Sequence, residues 1–205
     1  MQTHIGGTNP EFGALGRMFG SWNSYIGNIR GILERRLAQI PRFDETLFHM
    51  VGRAVEDVPD HPDTSLNSLT HIEDRALDLV WTRELGADRR LGTDVISYWT
   101  ESPRDRNKFV AEMIRTEQWE IPGERGPQLT LLQLLNGSHQ DFSRIMARHV
   151  TKDTYVLLNA IHSFRNRSQH GSGQPIHLGV AVSALMLCIE LLACLAREAP
   201  ELGRR

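Results

Sequence analysis

The sequence predicts an all-α protein, and three observations carry that prediction. Apolar residues recur at three- and four-residue steps along most of the chain. Proline- and glycine-containing breaks fall between those periodic runs. The one short stretch that periodicity leaves ambiguous, residues 129–135, is rich in leucine and has no second convincing strand to pair with.

Taken in order, residues 15–40 read as a helix with Trp22, Ile26, Ile29, Leu33, Leu37 and Ile40 on one face and Pro41 as the stop. The glycines in this run do not make a phosphate loop, because no strand precedes them and no Gly-Lys-Ser/Thr follows. A second helix is expected over 44–55, followed by a loop over 57–63 with two prolines and three further aspartates. Residues 44–74 hold eight acids against Arg53 alone, which suggests a solvated acidic face or a dock for a basic partner. Asp57, Asp60, His61 and Asp63 lack the regular spacing and glycine of a calcium loop, so an acidic turn is the better reading.

Ser68 or Thr70, with Glu73 or Asp74 downstream, resembles a capping box opening a helix to about residue 84, with Ile72, Ala76, Leu79 and Val80 as its stripe. Gly86 closes it. Helices follow over 92–99 and from Ser102-Pro103, the latter turning Phe109, Val110, Met113 and Ile114 inward. The largest surface loop is expected over 121–127, and Gly137-Ser138 marks another break. Residues 139–150 and 154–164 read as helices, and a long apolar helix ends the chain. The expected organisation is a flexible leader or cloning remnant (1–14), an N-terminal helical part (15–126), a core carrying the site (127–200) and a tail (201–205).

At 205 residues the chain is long enough for a well-packed domain, and 40% hydrophobic content with a mean hydropathy of −0.34 is ordinary for a globular protein. A net charge of −2 excludes a global electrostatic footprint for nucleic acid, so such a role needs a local patch. Cys188 and Cys194 read as small core residues, which fits a reducing cytoplasm, and no secretory signal pattern is present. Residues 178–196 approach the length of a membrane span, but Glu190 interrupts them and no aromatic belt flanks them. A helix apolar nearly all round is central in a bundle or shared with a second chain, and no membrane association is expected.

The chemistry concentrates where a helical segment ends in Phe164-Arg165-Asn166-Arg167-Ser168-Gln169-His170, before Gly171-Ser172-Gly173. On a wheel of about 100° per residue Arg165 continues the apolar face of Leu158 and Ile161, whereas Arg167 falls opposite. A guanidinium on an apolar face requires a partner: a carboxylate such as Glu190, a phosphate, or a neighbouring chain. Arg165 and His170 diverge by about 140° in a continuous helix, so they converge only if the helix ends between them, which the glycines permit. Arginine offers a planar fork for a phosphodiester, histidine moves protons near neutral pH, and Asn166 can orient either. Arg144 and His149 share the same spacing, but inside one expected helix they point apart. Between 138 and 171 five Lys/Arg against two Asp make a modest basic patch. Lys152, Arg167 and His162 are its candidate substrate-binding residues, and His162 is also a candidate second proton carrier. The nine histidines are scattered without His-x-x-x-His or Cys-x-x-Cys spacing, so no metal or cofactor is expected.

Arg165-Asn166-x-x-x-His170, at the end of one helix and before a long apolar one, resembles the signature of the HEPN domain family. The resemblance covers about residues 129–198. It implies a HEPN-like helical bundle with additional N-terminal helices. It also implies a metal-independent endoribonuclease of toxin–antitoxin or antiviral systems, in which Arg165 and His170 are catalytic and Asn166 supports them. RNA would be cleaved by attack of its own 2′-hydroxyl. A homodimer would form a composite site, and a protein antitoxin is a possible partner. The competing reading is a non-catalytic HEPN-like module that binds RNA, a nucleotide or a protein.

Overall fold

The computed structural model describes residues 22–102, 107–140, 142–169 and 178–198. Among the described residues the chain is helical with no named strand, which gives the all-α class plainly. The leader, the tail and the expected extension of the first helix back to residue 15 lie outside the described residues.

Helix α1 (Trp22–Ala38) stops just before Pro41. Helix α2 (Glu45–Asp57) is opened by Asp44, whose carboxylate accepts the Leu47 amide at 2.8 Å. A six-residue helix, α3 (Pro62–Asn67), occupies part of the expected loop. Proline at a first helical position lacks only an amide that would have no helical partner there.

Helix α4 (Leu69–Leu85) begins without the expected capping box: the Ser68 hydroxyl donates to the Thr64 carbonyl, and Glu73 turns into the core. Gly86 closes it with a φ of 74°. Helix α5 (Thr93–Glu101) follows, and Ser102 ends it rather than opening the next. Helix α6 (Lys108–Thr116) starts at Asn107, whose Oδ1 accepts the Phe109 and Val110 amides at 3.1 Å. Helix α7 (Arg125–Leu135) begins inside the expected surface loop, because Gly126 and Pro127 fall in a first turn whose amides need no helical acceptor. Helices α8 (Lys152–Gln169) and α9 (Leu178–Glu198) complete the chain.

The stretch 139–150 departs most from expectation. It is irregular, and the amides of residues 146–150 find their acceptors outside it. The Leu135 carbonyl accepts the amides of Met146 and Ala147 at 2.7 and 3.0 Å. The buried Glu84 carboxylate accepts those of Arg148, His149 and Val150 at 2.5, 2.9 and 3.1 Å. Phe142, fully buried, lies 6.2 Å from the Tyr98 ring and 5.9 Å from that of Trp99. Three tertiary acceptors in place of i−4 carbonyls outweigh a weak local helical pattern.

Helix α9 is central. It packs against α8 and also touches α1, α2 and α3, with Leu185, Ile189, Leu192 and Leu195 essentially inaccessible. Each such side chain contributes about 1.5–3 kcal/mol of burial. Helix α8 in turn packs on α3, α4 and α7, so residues from both expected parts share one core. By length and composition α9 could cross a membrane, but 50% of its apolar window is buried in the fold. Four of the eight acids of 44–74 are met by an arginine: Asp44 by Arg75, Glu45 by Arg42, Glu56 by Arg53, Asp74 by Arg125. Asp57, Asp60 and Asp63 stand outside those pairs, with Asp60 and Asp63 exposed.

Candidate active site

Three residues near the C-terminal end of α8 and one from α4 form a connected polar chain. His162 and Asn166 are one helical turn apart on α8, and Asn166 Nδ2 lies 2.9 Å from His162 Nε2. The other ring nitrogen, Nδ1, is 2.6 Å from Glu73 Oε1. Arg165 donates from Nη1 to Asn166 Oδ1 at 2.6 Å. The apolar face that carries Arg165 is as expected: Leu158 and Ile161 are fully buried, and Arg165 itself is half-buried.

Glu73 is 0% exposed, with Oε2 lacking a hydrogen-bond partner among the described residues. Burial pushes its carboxyl above the usual range, against the opposing pull of His162, Arg125 and Arg165. The neighbouring Cys188 thiol is pushed up to about 12 by burial and by the Glu73 charge. The carboxylate therefore sits in a dry part of the core where its charge is strongly felt.

Glu190 is not the partner of Arg165. Its two carboxylate oxygens receive Nε and Nη2 of Arg36 at 2.7 and 2.9 Å, a bidentate pair that ties α1 to α9. That pair also explains how a charged residue is tolerated in the most apolar helix.

Of the residues singled out in the sequence, the structure brings together Arg165, Asn166 and His162. With both ring nitrogens engaged inside the fold, His162 reads as a relay between Asn166 and Glu73 rather than a contact for substrate. Lys152, in contrast, opens α8 and lies about 20 Å from Arg165 at 1.5 Å rise per residue. The basic patch is dispersed as well: Arg148 pairs with Asp94 at 3.1 Å, and Arg144 stands 5.5 Å over the Tyr98 ring. Arg144 and His149 lie in the irregular 139–150 stretch rather than in one helix. The side chain of Arg167, together with His170 and the 171–173 break, lies outside the described residues. Helix α8 is continuous to Gln169, so any end that lets His170 turn back falls at the last residue before it.

Glu73 is the participant that sequence reasoning missed. A signal existed: on a wheel of about 100° per residue it falls among Leu69, Ile72, Leu77 and Val80, all buried on α4. A carboxylate inside an apolar arc requires a buried partner. Among the described residues no group of three or more His, Cys, Asp or Glu is placed to hold a metal ion. No family model, curated protein or solved structure matches this chain.

Proposed function

We propose that the protein is a metal-independent endoribonuclease of the HEPN type, with Arg165 and His170 as its catalytic pair and Asn166 in support. One observation carries the reading: Arg165 is held by Asn166, on a chain backed by a buried carboxylate, at the end of the helix that leads directly into His170. Ordering an arginine this way is the preorganisation that stabilising a charged transition state requires.

In the proposed reaction the 2′-hydroxyl of the RNA attacks the adjacent phosphorus, and the bond to the 5′-oxygen of the next nucleotide breaks. The products are a 2′,3′-cyclic phosphate and a 5′-hydroxyl. The 2′-hydroxyl proton is removed and a proton is delivered to the leaving 5′-oxygen, with His170 serving one or both transfers. Arg165 neutralises charge growing on the non-bridging oxygens. A second copy of the chain facing the first would complete a composite cleft, and a role in a toxin–antitoxin or antiviral system, with a protein antitoxin, belongs to the same proposal.

The test is cleavage of single-stranded RNA by the wild type, Arg165→Ala and His170→Ala, each with and without EDTA. Cleavage lost in both variants, unaffected by EDTA and leaving cyclic phosphate ends, is the expected result. Undiminished cleavage by purified His170→Ala would overturn it. The near-neutral charge of the whole chain favours one competitor, a non-catalytic HEPN-like module that binds RNA, a nucleotide or a protein. Salt-dependent RNA binding with intact RNA after long incubation would select that reading instead.

A further inference from the structure

The polar chain at the end of α8 has a fixed direction, and that direction follows from donor chemistry alone. Arginine only donates, so Asn166 must offer Oδ1 to Arg165 Nη1. Its Nδ2 therefore donates, and the group it meets, His162 Nε2, must accept. A neutral imidazole that accepts at Nε2 carries its proton on Nδ1, which then donates to Glu73 Oε1. A proton on Glu73 Oε2 would leave this order intact, since Oε1 still accepts. Moving the imidazole proton to Nε2 would not: Asn166 would have to turn its amide, and Nδ2 would then face the donor-only Arg165.

From this we infer that Glu73 is a positioning residue for Arg165, acting through the Nδ1–H tautomer of His162 and the amide orientation of Asn166. The inference rests on the proposed ribonuclease reading for what Arg165 does, but not for how Arg165 is held. Glu73 stands in the second turn of α4, 89 residues before His162, and its burial excludes water as a substitute acceptor for Nδ1. A simple tie between α4 and α8 would be served by any well-packed pair; a carboxylate whose second oxygen has no partner among the described residues is a costly way to make one.

Two measurements test it on the full-length protein. The first is the nitrogen-15 spectrum of the His162 ring in the wild type, assigned with His162→Gln. The expected result is a neutral ring protonated at Nδ1; a ring protonated at Nε2 would overturn the inference whether or not the protein cuts RNA. The second compares Glu73→Met with Glu73→Gln. Methionine fills the site without an acceptor, whereas glutamine keeps an oxygen for Nδ1–H. Glu73→Met should shift the ring toward the Nε2–H form and lower kcat for RNA cleavage about 100-fold, the scale of a small misplacement of a catalytic group, with KM little changed. Glu73→Gln should keep the tautomer and most of kcat. A Glu73→Met protein that is folded by its melting curve yet unchanged in tautomer and kcat would overturn the inference. If Glu73→Met does not fold, the wild-type spectrum still decides. A wild type that shows the Nδ1–H ring but cleaves no RNA would defeat the ribonuclease reading and leave the positioning role standing.

Discussion

Replacing Glu84 by glutamine should unclasp the irregular stretch before α8, and the expected loss can be worked from the three bonds it makes. Glu84 is 7% exposed, and its two oxygens accept the amides of Arg148, His149 and Val150. Glutamine has the same shape, so packing is preserved. Its single oxygen can keep the His149 and Val150 amides, but its NH2 then meets the Arg148 amide, donor against donor. Hydrogen bonds to a charged acceptor contribute about 1.5–3 kcal/mol and neutral ones about 0.5–1.5, so weakening two costs about 2 kcal/mol. Leaving the half-buried Arg148 amide without an acceptor adds about 1 kcal/mol. The sum, about 3 kcal/mol, corresponds to a fall in Tm of about 6–12 °C for a chain of this size. Calorimetry reads the Tm, and hydrogen exchange reads where the loss falls: protection should drop first at the amides of 148–150. A Tm within about 2 °C of wild type, with unchanged exchange at those amides, would refute the clasp.

Two further perturbations test the fold away from that clasp. Gly137 has a φ of +60°, and a Cβ built on it would stand 2.5 Å from the Ser143 carbonyl oxygen, so Gly137→Ala should destabilise by more than about 2 kcal/mol in urea unfolding. Gly126→Ala, in the first turn of α7 with nothing within 4 Å, should be neutral or slightly stabilising, and equal effects at both positions would contradict the geometry. Burial alone would raise the Asp44 carboxyl, but the Arg75 guanidinium and the Leu47 amide outweigh it and hold it below the usual range. Its stabilisation is therefore present above the unfolded carboxyl pKa of about 3.9 and is lost as pH falls through the lower folded value. Asp44→Asn should cost about 1 kcal/mol at pH 7, discounted because Arg75 is partly open to solvent. The gap to wild type in melting curves should close below about pH 4; a gap that stays constant to pH 2 would refute the sign.

Helix periodicity made most of the elements legible, since α1, α2, α5 and α9 follow from apolar spacing and proline or glycine stops, while α7 followed from its leucines and the lack of a strand to pair with. It failed where tertiary partners replaced local ones. The apolar spacing within 139–150 looks helical, yet the acceptors that its amides need come from Leu135 and Glu84, which no local window contains. Pro62 and Pro127 were read as loop formers although both sit in helix first turns, where proline costs nothing. The site was half legible. Arg165 and Asn166 could be picked out from the sequence because the wheel put the arginine on a buried face. Glu73 was hidden because the α4 stripe was drawn through Leu79, when Leu77 and Trp81 are the buried members. Rotating that stripe by one residue places both Glu73 and Glu84 inside the apolar arc.

Those two carboxylates explain how α8 is held in register. Glu73 and Glu84 are eleven residues apart on α4, about 16 Å along its axis. Their attachment points, Val150 just before α8 and His162 within it, are twelve residues apart, about 18 Å if measured as helix. The early residue of α4 meets the late residue of α8 and the reverse, so the two helices run antiparallel with matched anchor spacing. A third carboxylate, Glu198 at the end of α9, accepts the Thr151 amide at 2.9 Å and the hydroxyls of Thr151 and Thr154 at 2.6 Å, fixing where α8 begins. Sliding α8 by one turn, about 5.4 Å, would break all three anchors at once and leave buried carboxylates unpaired. The position of Arg165 is thus set lengthwise by Glu84 and Glu198 at one end of α8, and rotationally by Glu73 through His162 and Asn166 at the other.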